Sequence, residues 1–135
     1  MAISIGQEIE KLSAFARAYC ECALWLMTDD KGELLDKNYV LEDIPWHVMR
    51  RMRRDCQIFQ ITSAWEEHGS IGGDEQGGHD FWLTRNGHGA GFWDGDWKDQ
   101  NGSKMPGEEL TAAAKMFGEF NLVLNDDGSI GYFDS

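Results

Sequence analysis

Basic residues are scarce in this chain, and scarcest where it is most distinctive. Against 24 Asp and Glu stand 12 Lys and Arg, a net charge of −12. Residues 66–135 hold fourteen acids and four bases, whereas residues 1–65 hold ten acids and eight bases. Affinity for a nucleic-acid backbone rests on Lys and Arg, so direct phosphate binding by the C-terminal half is disfavoured. Attraction to basic protein surfaces is favoured instead. Long apolar runs are also missing, which excludes a helical membrane span. The opening MAISIGQEIEKL lacks the basic and apolar regions of a signal peptide, so a cytoplasmic location is expected. Cysteines are few. Cys20 and Cys22 enclose one residue in CEC, which fits neither a redox pair nor a zinc knuckle, and Cys56 stands apart. Buried, reduced thiols are the expected state of all three.

Catalytic signatures are absent as well. No GxSxG occurs, and no histidine stands at a motif spacing from Ser63, Ser70, Ser103 or the cysteines. Neither GSIGGDEQGG nor GHGAGF leads into the helix and basic residue that a phosphate cradle requires.

What is present describes one α+β domain over residues 1–135, with 41% hydrophobic residues to build a core. Ile5, Ile9, Leu12, Ala16, Tyr19, Ala23 and Leu26 step by fours and threes, predicting a helix over about 5–27. A second helix is expected from LEDIPWHVM to about residue 68, capped by Asp43 with Pro45 in its first turn. Val48, Met49, Met52, Cys56, Phe59 and Ser63 share its apolar side, and Ile58, Ile61 and Trp65 form a second buried stripe on its later turns. HDFWLTRN and AGFWDGDW, joined by NGHG, predict a β-hairpin over 79–94 with Asn86 and Gly87 at its tip. A helix over about 110–120, capped by Thr111, and a second hairpin turning at Asp126–Asp127–Gly128 complete the chain. The expected architecture is two N-terminal helices (about 1–68), then hairpin, helix and hairpin (about 77–135). The helices pack on a small antiparallel sheet.

Several groups of residues carry potential chemistry. His79, Asp80, His88, Asp94 and Asp96 are metal-ligand types. On the expected hairpin, His88 sits at the tip, roughly 20 Å from the open end at a strand rise of ~3.3 Å per residue. His79, Asp80, Asp94 and Asp96 are left to converge across the strand ends. WKDQNGSKMPGE places Asp99, Asn101, Gly102 and Glu108 at calcium-loop positions, but Trp97 stands where the first carboxylate belongs. No bound metal or other cofactor is expected. Arg50, Arg51, Arg53 and Arg54 make a basic helix face that is expected to pair with nearby acids or stay solvated. Asp94, Asp96, Asp99, Glu108 and Glu109 read as an acidic edge with Trp93 and Trp97 as apolar anchors, a combination suited to protein binding.

GHDFWLTRNGHGAGFWDGD, with LTAAAKMFGE and DDGSIGYF downstream, resembles a widespread group of small proteins encoded by bacteriophages, prophages and plasmids. The resemblance covers roughly residues 77–133. A fainter similarity is to plasmid antirestriction proteins, which are also small, acidic and α+β. These resemblances imply a mobile-element setting in the cytoplasm of a host cell. They suit a non-enzymatic accessory factor that occupies a host or phage protein with a basic surface, in the manner of an antirestriction or anti-CRISPR inhibitor or a DNA mimic. The alternative is a metal-dependent hydrolase or nucleic-acid-processing enzyme that uses His79, Asp80, His88 and Asp94.

Overall fold

A computed structural model describes residues 3–29, 31–35 and 38–135. Among the described residues, six α-helices and three short strands follow one another: α1 (Ile5–Glu10), α2 (Ala14–Trp25), β1 (Thr28–Asp29), α3 (Trp46–Gln60), α4 (Ser63–His68), α5 (Gly73–Arg85), α6 (Met105–Lys115), β2 (Phe120–Leu124) and β3 (Ile130–Asp134). The mixture is α+β, as expected. The sheet has the order β1-β2-β3, with β1 parallel to β2 and β2 antiparallel to β3, so it is mixed instead of purely antiparallel.

The expected first helix is broken in two. Ser4 starts α1 with a capping box, its hydroxyl accepting from the Gln7 N–H while the Gln7 side chain accepts from the Ser4 N–H. Ser13 then accepts from the Ala16 N–H at 3.1 Å and opens α2. A serine that bonds the backbone ahead of it competes with helix continuation, yet the apolar stripe runs on across the break. The second expected helix also divides. Asp43 does not cap it: its carboxylate accepts from the Val40 N–H within a 3-10 turn, and α3 begins after Pro45. Thr62 caps the separate α4. Trp65 is buried, but Ile58 and Ile61 are 40% and 73% exposed, so α3 buries one face and not two.

The largest correction concerns residues 79–94. HDFWLTR is helical, the last turns of α5, and Asn86–Gly87 terminates it. Gly87 takes φ +71°, its N–H donates to the Thr84 carbonyl, and the His88 N–H donates to the Leu83 carbonyl. That pair of bonds is a Schellman cap. The same property of glycine, a left-handed backbone at no steric cost, serves a hairpin tip and a helix end alike. Alternation within the segment is no guide either, because α5 is the central helix. Gly77, Gly78, Asp80, Phe81, Trp82, Thr84 and Arg85 bury most of its circumference.

Gly77 and Gly78 allow that centrality. A Cβ on Gly78 would collide with the Phe15 carbonyl of α2, and one on Gly77 with the Trp65 ring of α4. Around this close crossing lies an aromatic core: Phe59 stacks on Phe81 at 4.3 Å and on Phe92 at 5.6 Å, and Trp97 meets Phe92 edge-on at 5.1 Å. The C-terminal hairpin forms as expected. Phe120 pairs with Asp134 and Leu124 with Ile130, and Gly128, at φ +87°, donates its N–H to the Asn125 carbonyl. The helix before it, α6, starts earlier than expected with Pro106 in its first turn. Thr111 lies inside it and its hydroxyl donates to the Gly107 carbonyl at 2.7 Å, so it caps nothing.

Candidate acidic interface and the acid–histidine cleft

The polar residues of the DFWLTRN segment tie the fold together. Arg85 donates to Asp55 (2.8 Å), the Tyr19 hydroxyl (3.0 Å) and the Gly118 and Phe117 carbonyls (2.8 and 3.1 Å). Its guanidinium lies over the Phe81, Phe117 and Phe120 rings. Asn86 accepts from the Phe120 N–H at 2.8 Å and so fixes the start of β2. Thr84 accepts from the Phe92 N–H at 3.0 Å. Asp80 accepts from the Trp97 indole N–H at 2.6 Å and from Gln76 at 2.9 Å. Burial pushes the Asp80 carboxyl above the usual carboxylate range, against the lowering effect of these two donors. Every one of these groups is occupied with architecture.

Those bonds remove several expected site residues from consideration. Trp97 is 1% exposed and belongs to the core, so it is no surface anchor. Asp80 is buried against it. His88 is exposed and packs on Trp82 at the end of α5, while His79 faces the exposed Trp25 beside a small groove lined by Glu21, Glu75 and Gln76. Among the described residues, His79, Asp80, His88, Asp94 and Asp96 do not gather their ligand atoms into one group. On the arginine face, Arg50 bonds Glu8 at 3.0 Å and Arg51 bonds Asp134 at 2.9 Å. The cysteines are free and buried, and burial holds Cys20 and Cys22 up at about 12, far from thiolate reactivity.

The remaining expected residues do share a surface. Residues 91–104 form a loop laid against the start of α6, where the Gly107 N–H donates to the Trp97 carbonyl at 3.0 Å. A Cβ at position 107 would strike the Phe92 carbonyl, so only glycine lets loop and helix approach this closely. The contact brings Trp93, 51% exposed, beside Glu108 around a shared hollow. Asp94, Asp96, Asp99, Glu108 and Glu109 are all exposed. Asp99 folds its own loop: its Oδ1 accepts from the Asn101 and Ser103 N–H groups, both at 2.9 Å. That oxygen is thereby committed to the loop backbone.

Asp99 also borders a cleft of about 720 Å³ between the end of α4 and the start of α6, lined by Glu67, His68, Ile71, Lys98, Met105 and Pro106 among others. Met105 is 56% exposed and Ile71 39%, so the cleft combines apolar walls with a charged rim. At that rim His68 Nε2 lies 2.6 Å from Glu109 Oε2 and 3.6 Å from Glu67 Oε2. Sequence reasoning named Glu109 but missed Glu67 and His68. The pair is adjacent in the chain yet meets a carboxylate 41 residues away, and no motif spacing announces such a group. A histidine in the last turn of a helix, followed by Gly69, was the one local signal. Comparison with protein-family models, curated proteins and solved structures finds no match.

Proposed function

We propose that the protein acts by binding another protein through this acidic face, as an accessory factor of a mobile genetic element that occupies a basic surface of a host or phage protein. The observation that carries the reading is the exposed Trp93 indole beside Glu108 and Lys104, on a loop whose Asp94 and Asp96 are exposed as well. An aromatic anchor ringed by charge is the usual make-up of an interface centre and its rim. The cleft beside it offers Met105 and Ile71 as further apolar contact, and Met adapts readily to a partner's shape. An anti-defence role, antirestriction or anti-CRISPR in type, fits the resemblance to mobile-element proteins and the excess negative charge of residues 66–135. A metal-dependent hydrolase built on His79, Asp80, His88 and Asp94 has no comparable support, because Asp80 is engaged with Trp97 and the others lie apart.

The test separates charge from anchor. With a partner captured by the wild-type protein, replacing Asp94, Asp96 and Asp99 by Asn slows association and flattens its salt dependence, since rim charges act mainly on encounter. Trp93→Ala speeds dissociation instead. Association kinetics at two ionic strengths read both effects. Unchanged binding in all four variants, with loss on substitution of Arg50 and Arg51, would move the interface to α3 and overturn the reading.

A further inference from the structure

We infer that Glu67, His68 and Glu109 form a binding site for one divalent transition-metal ion, with zinc the best match, at the edge of the α4–α6 cleft. One ligand atom from each residue lies within 4.8 Å of the other two. Two carboxylates address the same imidazole nitrogen, at 2.6 and 3.6 Å. That nitrogen carries at most one proton and can satisfy only one acceptor. A cation placed among the three atoms satisfies all of them and offsets the repulsion between the carboxylates.

Small shifts bring the three atoms to metal-ligand spacing. Zinc bonds of ~2.0–2.2 Å in a tetrahedron set neighbouring ligand atoms roughly 3.3–3.6 Å apart. The 3.6 Å from the histidine nitrogen to Glu67 lies at the upper end of that range, and the 2.6 Å to Glu109 must lengthen. The side chains best able to adjust are the carboxylates, with Glu67 67% and Glu109 43% exposed, while the His68 side chain is held at 18%. Histidine thus supplies the fixed ligand and the glutamates close on it. An imidazole in the set selects a transition metal over magnesium or calcium, which take oxygen ligands in larger number. Three protein ligands leave a fourth position, and the adjoining cleft gives a water or an exogenous ligand room to occupy it. The site shares Glu109 and the cleft with the proposed partner-binding face, but it rests on α4 and α6 alone and needs no second protein.

Isothermal titration of chelator-treated protein with zinc chloride, and separately with magnesium chloride, tests it. The expected result is one zinc per chain and magnesium weaker by about ten-fold or more. Even loss of an outer hydrogen bond to a ligand weakens metal by ~10–100-fold, so Glu67→Gln and Glu109→Gln each weaken zinc at least that much. His68→Ala abolishes saturable uptake, and His79→Ala leaves it unchanged. Glu67 and Glu109 are exposed, so their Gln variants keep the metal-free melting temperature and the result does not depend on whether the His68 variant folds. No saturable zinc uptake, uptake equal in every variant, or uptake lost with His79→Ala would each overturn the site. None of these outcomes depends on capturing a partner.

Discussion

Asp80 shows how one buried side chain constrains the molecule twice. It accepts the Trp97 indole N–H and the Gln76 amide, and burial raises its pKa. An acid whose folded pKa exceeds its unfolded value, ~3.9, binds more protons folded than unfolded between the two. Its ionisation therefore costs stability as pH rises through that window, and the benefit of protonation is complete only below the unfolded value. Asp80→Asn keeps an oxygen for the indole and removes the charge. Urea denaturation should find it near wild type at neutral pH and without this pH dependence. Asp80→Ala strands the indole N–H and should cost about 1–3 kcal/mol. Glu8 behaves oppositely. The Arg50 hydrogen bond holds its carboxyl below the usual range, opposed by burial. Its contribution is therefore present above the unfolded value, ~4.3, and lost as pH falls through the folded one. Glu8→Gln should flatten the acid limb of the stability profile measured by melting temperature.

At the scale of elements, the α2–α5 crossing is the point of least tolerance. Gly78→Ala places a methyl against the Phe15 carbonyl, which is backbone and cannot rotate away. A loss of about 1–3 kcal/mol or more is expected from such overpacking. Gly87→Ala meets no neighbour but must adopt φ +71°, and should cost about 1 kcal/mol, the ordinary penalty for that backbone region. Equilibrium denaturation distinguishes the two losses. The same crossing explains what the sequence conveyed and what it hid. α3 buries one face, and α2 keeps a single outward stripe at Ala14, Arg17, Glu21 and Trp25, so both are legible from their spacing, as is the final hairpin from NDDG between two apolar runs. The inward positions of α5 include Gly77, Gly78, Asp80, Thr84 and Arg85, so polarity marks no face of it and sets no period. Aromatic residues beside Asn-Gly then read equally as strand and turn. The acidic edge could be named residue by residue, but Trp97 could not be told from Trp93. Which of two tryptophans four residues apart points inward depends on Asp80, on another element.

A recurrent five-residue turn organises the exterior. The carbonyls of Asp29, Asp99 and Asn125 accept from the N–H groups of Gly32, Gly102 and Gly128, each glycine at positive φ, and their own N–H groups donate to the Glu33, Ser103 and Ser129 carbonyls. In the first two turns the leading Asp carboxylate also accepts backbone N–H groups, and at Asp29 these bonds hold the carboxyl below its usual range. At Asp29 and Asp99 the acidic surface is thus local turn chemistry as well as charge. Across the whole molecule that distinction is measurable. Asp96→Asn should leave the melting temperature unchanged or slightly raised, because it relieves like-charge repulsion on an exposed loop, while Asp94→Asn also weakens the 3.3 Å bond its carboxylate accepts from the Gly91 N–H. Asp99→Asn should lower it modestly, because an amide oxygen is a weaker acceptor for the Asn101 and Ser103 N–H groups. If all three variants melt alike, Asp99 contributes charge only.

The helix-capping role of Asn86 has a consequence for how the protein ages. Asparagine followed by glycine is prone to deamidate when the next backbone nitrogen can reach the side-chain carbonyl carbon. Asn86 cannot readily present that carbon: its amide donates to the Trp82 carbonyl and its oxygen accepts from the Phe120 N–H. Asn101–Gly102 is the same dipeptide at the exposed rim of the α4–α6 cleft. Stored protein should accumulate isoaspartate at Asn101 and not at Asn86 by peptide mapping, so chemical wear would add negative charge to the face that already carries the most.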